Sequence, residues 1–111
     1  MVIEVTSVMD KRYCKRKIKR LNISFSDGTT GYNGISSDFS CNGLFIRTRK
    51  VFKEGTVLKM MLDIDDKTIP LIGIVIRSVE PRIVTKKSGI GIALTLIPPE
   101  YKNFLKELYG N

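Results

Sequence analysis

Leu21-Asn22-Ile23-Ser24-Phe25-Ser26 alternates apolar and polar side chains with a period of two, the repeat of a strand that turns one face to a core. Asp27-Gly28 then supplies a turn, and Thr30 to Ser36 is predicted as the returning partner, weakened by Gly31 and Gly34. Ser37 to Asn42 reads as a turn-like stretch, and Leu44-Phe45-Ile46-Arg47-Thr48 as a third strand. Glu54-Gly55 punctuates the chain before a fourth strand from Thr56 to Ile64. Asp65-Asp66-Lys67 turns it into a fifth, Ile69 to Val79, with Pro70 near its start and Gly73 predicting a bulge or a barrel bend. Lys86-Lys87-Ser88-Gly89 makes the last turn, before Ile90 to Ile97.

Six strand patterns joined by short turns predict a mainly β fold, a six-stranded antiparallel barrel, because closure removes exposed strand edges. The period then changes. Tyr101, Phe104, Leu105 and Leu108 recur at the spacing of one helical face, after Pro98-Pro99 and before Gly110. So short a helix is marginal alone in water, so its apolar stripe is expected to pack on the barrel. The predicted layout is one domain over 1–111: an N-terminal segment with a basic arm (1–20), a barrel (21–97) and a C-terminal helix (98–110).

Length and composition agree with that layout. The chain has 111 residues, 42% hydrophobic and 27% charged, enough for one modest core. No run reaches the roughly 20 apolar residues of a membrane span, and Met1-Val2-Ile3-Glu4 lacks the layout of a signal peptide. A cytoplasmic protein without membrane insertion is expected. Cys14 and Cys41 are too few for a disulfide framework and are expected as ordinary reduced thiols.

Charge changes the picture by where it falls. The formal net charge is +8, and residues 10–20 hold seven Lys and Arg against Asp10 alone. A basic surface for nucleic acid would spread its charge, whereas this chain concentrates it in one arm ahead of the first strand.

Candidate chemistry is sparse. With no histidine the commonest general base near neutral pH is missing, a Cys/His zinc site cannot be assembled, and no nucleophile stands beside an activator, so no catalytic residues are assigned. Asp63, Asp65 and Asp66 lack the spacing of a calcium loop and read as a solvated turn, so no metal ligand is assigned. Gly89-Ile90-Gly91 precedes a strand, not the helix that a phosphate-binding loop requires. Two elements remain. The arm carries overlapping Arg-x-x-x-Arg spacings, Arg12 to Arg16 and Arg16 to Arg20, and downstream Asp38-x-Ser40-x-x-Gly43 gathers a carboxylate, a hydroxyl and a permissive glycine. Alone, the first reads equally as a solvated basic tail and the second as a turn bonded to its own backbone.

Taken together, Arg16-x-x-x-Arg20, Asp38-x-Ser40-x-x-Gly43, six strand patterns and a terminal helix resemble the PilZ domain family of bacterial cyclic di-GMP receptors. Gly89-Ile90-Gly91-Ile92-Ala93-Leu94 followed by Pro99-Glu100 is similar to that family's last strand and helix. The resemblance selects Arg16 and Arg20 over the earlier pair, because in the family the second arginine directly precedes the first barrel strand, here begun by Leu21. Where many members carry a glycine before Gly43, this chain has Asn42, a residue that tolerates the left-handed region.

The resemblance implies a non-enzymatic receptor for cyclic di-GMP that needs no cofactor. Arg16 and Arg20 would donate forked hydrogen bonds to phosphate or to guanine O6 and N7, and would stack on a base. Asp38 would accept from guanine N–H groups, Ser40 would bond a base edge, and Gly43 would let the backbone approach the ligand. Arg12, Lys15 and Asn42 are secondary candidates. Binding would change the conformation of the arm and regulate an unidentified downstream protein. Two alternatives stand beside this reading: a small basic barrel that binds RNA or DNA, and a degenerate family member that serves only as a protein-interaction module.

Overall fold

The computed structural model describes residues 19–79 and 88–109. Among the described residues there are six strands, β1 Leu21–Ser26, β2 Gly31–Ser40, β3 Gly43–Arg47, β4 Val57–Ile64, β5 Lys67–Val79 and β6 Gly89–Leu96, and one helix, α1 Pro99–Leu108. The strands close into a barrel in the order β1-β2-β3-β6-β5-β4, with every neighbouring pair antiparallel. The predicted fold class is therefore the observed one.

Alternation builds the core. Ile23 and Phe25 on β1, Leu58, Met60 and Leu62 on β4, and Ile69, Leu71 and Val75 on β5 are all buried, while the residues between them face outward or lie at intermediate depth. Gly73 keeps this inward rhythm for a steric reason, since a Cβ there would lie 2.4 Å from Ile92 Cγ2. The predicted irregularity is present, as the β5–β6 register shifts between Ile72 and Gly73. Pro70 is accommodated because it pairs only with Met61 of β4; the β5–β6 ladder begins at Ile72.

The first hairpin shows how the turn residues act. Asp27 Oδ1 accepts from the Thr29 and Thr30 amides, each at 3.0 Å, and from Thr29 Oγ1 at 2.9 Å, while Gly28 takes the positive φ of 100°. These donors lower the Asp27 carboxyl from 3.8 to about 2, the Thr29 amide contributing most. Because the folded value is the depressed one, the turn keeps this contribution above about pH 4 and loses it as pH falls towards 2. An NMR pH titration is expected to show the Thr29 and Thr30 amides moving in that acidic window, and Asp27→Ala to remove the transition.

Helix α1 starts with Pro99 in its first turn and buries Tyr101, Phe104 and Leu105. Its stripe packs on the barrel as predicted: the Phe104 ring meets Phe39 of β2 edge-on, with centroids 5.1 Å apart at 83°. The predicted stop at Gly110 lies outside the described residues.

Candidate functional site

The stretch expected to be a turn from Ser37 to Asn42 is mostly strand. β2 continues through Ser40, and only Cys41 and Asn42 turn the chain into β3. The physical reason is a bulge: Ser37 pairs with Phe45 and Ser40 with Gly43, so β2 spends one residue more than β3 over the same step. Asp38 absorbs it with φ at 55°, the left-handed conformation that Asp tolerates better than most residues. Phe39 is thereby driven fully inward beneath Phe104. The left-handed residue of this motif is thus Asp38, and neither Asn42 nor Gly43 has positive φ.

Gly43 is required by the barrel itself. A Cβ there would lie 2.5 Å from the Ile92 carbonyl oxygen, so only glycine lets β3 come this close to β6. The neighbouring Asn42 carbonyl accepts from the Leu94 amide at 2.8 Å. Helix α1 fixes the same turn from below, because the Tyr101 hydroxyl donates to the Ser40 carbonyl at 2.9 Å and reaches the Gly43 carbonyl at 3.3 Å. Burial holds the Tyr101 phenol well above its usual range, which keeps it a protonated donor. Ser40 Oγ has only long contacts, 3.4 Å to Asn42 Oδ1 and 3.3 Å to the Gly43 carbonyl. Such weak bonds can be exchanged for a ligand contact at small cost.

Asp38, Ser40, Asn42 and Gly43 line one cavity of about 320 Å³ on the outside of β2, β3, β5 and β6. Arg20 is exposed and directly precedes Leu21, whose partner on β2 is Ser36, two residues before Asp38. It is not among the residues lining the cavity. Arg12, Lys15 and Arg16 lie outside the described residues. Cys41, at the tip of the turn, is disulfide-bonded, where the sequence suggested a reduced thiol; Cys14, the chain's other cysteine, also lies outside the described residues. Among the described residues no group of three or more His, Cys, Asp and Glu is placed to hold a metal ion, and no helix is long and apolar enough to cross a membrane.

One basic residue of the cavity escaped the sequence reading. Arg77 lines it together with Ile76. Val75 pairs with Ile92 and Arg77 with Gly91, so Ile76 and Arg77 share a single partner residue across a second bulge. Without a bulge, period-two alternation would point residue 77 inward with Ile69, Leu71 and Val75; the extra residue re-aims it to the outer face. The Arg77 side chain passes over Gly91, whose position would hold a Cβ in ordinary contact, 3.6 Å from Arg77 Nε. The signal was present in the sequence, because an arginine at an inward position of an apolar strand requires a register break.

Comparison with known proteins agrees with this architecture. The PilZ domain model matches residues 10–110. Among solved structures, the Bacillus subtilis inhibitor of motility MotI/DgrA is similar with a TM-score of 0.68 at 15% identity, over 85% of this chain and 47% of that one. The chain thus spans about half the length of MotI/DgrA. The PilZ domain of CeSA from a cellulose-synthesizing bacterium is similar with a TM-score of 0.61 at 18% identity, over 86% of this chain and 95% of that one. No curated protein matches the chain. With a family model spanning nearly its whole length and two bulges that shape the motif-bearing face of its barrel, the chain belongs to the PilZ domain family.

Proposed function

We propose that this protein is a cyclic di-GMP receptor that passes ligand occupancy to a protein partner. The observation that carries the reading is the cavity that Asp38, Ser40 and Arg77 line together. A guanine presents O6 and N7 acceptors on one edge and N–H donors beside it, so a site for it needs a fork of donors and an acceptor carboxylate together. Arg77 provides the first and Asp38 the second. At about 320 Å³ the cavity is at the lower end of ligand pockets. It suits one base of the dinucleotide, with the phosphates left to Arg20 and to Arg16 and its basic neighbours in the arm.

Arg77→Ala is expected to weaken cyclic di-GMP binding about tenfold or more, and Arg77→Lys to recover only part of the loss, because lysine keeps the charge without the fork. Titration of both variants by calorimetry checks this. Neutralising phosphates also relieves repulsion among the cations of residues 10–20, so binding is proposed to order that arm. Unchanged amide exchange in the arm at saturating ligand would remove this step.

Selectivity tests the reading as a whole. Labelled cyclic di-GMP bound to the chain at near-physiological salt is expected to be displaced by unlabelled cyclic di-GMP and not by equal concentrations of cyclic di-AMP or a single-stranded oligonucleotide. Equal displacement by all three, fading steeply with salt, would point instead to a general phosphate binder.

A further inference from the structure

One outer face of the barrel, formed by β4, β5 and the end of β6, is unusually apolar. Met61 and Leu96 are 43% and 45% exposed, and Val57 and Ile76 more than half exposed. Cross-strand pairing joins Val57 to Ile74, Met61 to Pro70, and Ile72 to Lys59 and Leu96, and Ile72, Ile74 and Ile76 follow one another along β5. Met61, Pro70, Ile72 and Leu96 line a groove of about 640 Å³ that also takes in residues of β1 and β2, and Lys59 is the one charged residue among its described lining. Contiguous exposed apolar surface of this kind marks an interaction site.

We infer that this groove docks an acidic, apolar segment of a partner protein, with apolar side chains over Met61, Ile72 and Leu96 and a carboxylate on Lys59. Charge selects the occupant. A second copy seated here would bring another Lys59 against this one, which like-charge repulsion opposes, whereas a carboxylate is drawn to it. Concavity and a single cation favour an inserted peptide segment over a flat anionic bilayer. The face also reaches the nucleotide cavity: outward positions on β5 run from Ile72 through Ile74 to Ile76, and Ile76 lines the cavity with Asp38. This gives the receptor's output a location, and only that coupling rests on the cyclic di-GMP reading.

The test is selection of a random displayed-peptide library on the full chain, with counter-selection on the Met61→Glu variant. Recovered peptides are expected to combine apolar residues with Asp or Glu. A synthetic representative should lose about tenfold or more in affinity on Met61→Glu and on Lys59→Glu, and exchanging its carboxylates for lysines should restore binding to Lys59→Glu. Cyclic di-GMP binding by Met61→Glu should equal that of the parent. Peptides that are basic, or that bind Met61→Glu as well as the parent, would overturn the proposal. So would a dimer in sedimentation, or binding to anionic vesicles, that Met61→Glu abolishes. A parent that binds such peptides but no cyclic di-GMP would leave the groove standing and remove the receptor reading.

Discussion

Phe104→Ala is expected to lower the unfolding free energy by about 3–5 kcal/mol, the usual cost of emptying an aromatic site in a core. Phe104 is 5% exposed, edge-on to Phe39 and 5.9 Å from the ring of Tyr101. The deletion opens a cavity under the β2 bulge and frees the helix that holds Ser40 and Gly43 in place through Tyr101. Chemical denaturation measures the loss. Tyr101→Phe provides the contrast, because it keeps the ring and removes only the hydroxyl, a change of about 0.5–1.5 kcal/mol. A Phe104→Ala protein as stable as the parent would mean that the helix does not brace the site.

The second large effect concerns binding. Arg20→Ala and Asp38→Ala are each expected to cost about 1.5–3 kcal/mol in affinity for cyclic di-GMP, roughly tenfold to more than a hundredfold, because each removes a charge-assisted contact. Asp38 needs a second variant, since φ of 55° is strained for alanine. Asp38→Gly keeps the backbone conformation and removes the carboxylate. Affinity lost in both, with stability better kept in Asp38→Gly, would assign the loss to the ligand contact; full affinity in Asp38→Gly would assign the residue a conformational role only. Calorimetry at near-physiological salt, paired with thermal unfolding of each variant, separates the two.

Most of the barrel was legible in the sequence because its signals are local. Period-two runs such as Leu21 to Ser26, turn pairs such as Asp27-Gly28 and Asp65-Asp66, and the helical stripe through Tyr101, Phe104 and Leu105 each reflect one element facing one core. The register breaks were less accessible, because a bulge is a relation between two strands and only one lies in any window of sequence. Ser37 to Asn42 therefore read as a turn, although Asp38 and Phe39 belong to a bulged strand whose irregularity is set by β3. Arg77 went unassigned for the same reason, since its outward course follows from the register shift between β5 and β6.

Within the site, Asp38, Ser40, Asn42 and Gly43 do meet around one cavity, as their spacing suggested. The reason for Gly43 differed, however. Flexibility and ligand approach were the reasons available from sequence, whereas the barrel needs a missing side chain where β3 passes the Ile92 carbonyl. Tyr101 was legible as a core residue and not as the donor that fixes the turn, because its partners lie about sixty positions earlier in the chain.

The most direct test of the central claim is an NMR titration of the isotopically labelled full chain with cyclic di-GMP at near-physiological salt. Saturable shifts of the amides from Asp38 to Gly43, of Arg77 and of Gly91 are predicted, with Asp27 and Gly28, in the β1–β2 turn at the opposite end of the barrel, unmoved. No shifts, or shifts confined to residues away from Asp38, Ser40 and Arg77, would contradict the assignment of this cavity as the nucleotide site.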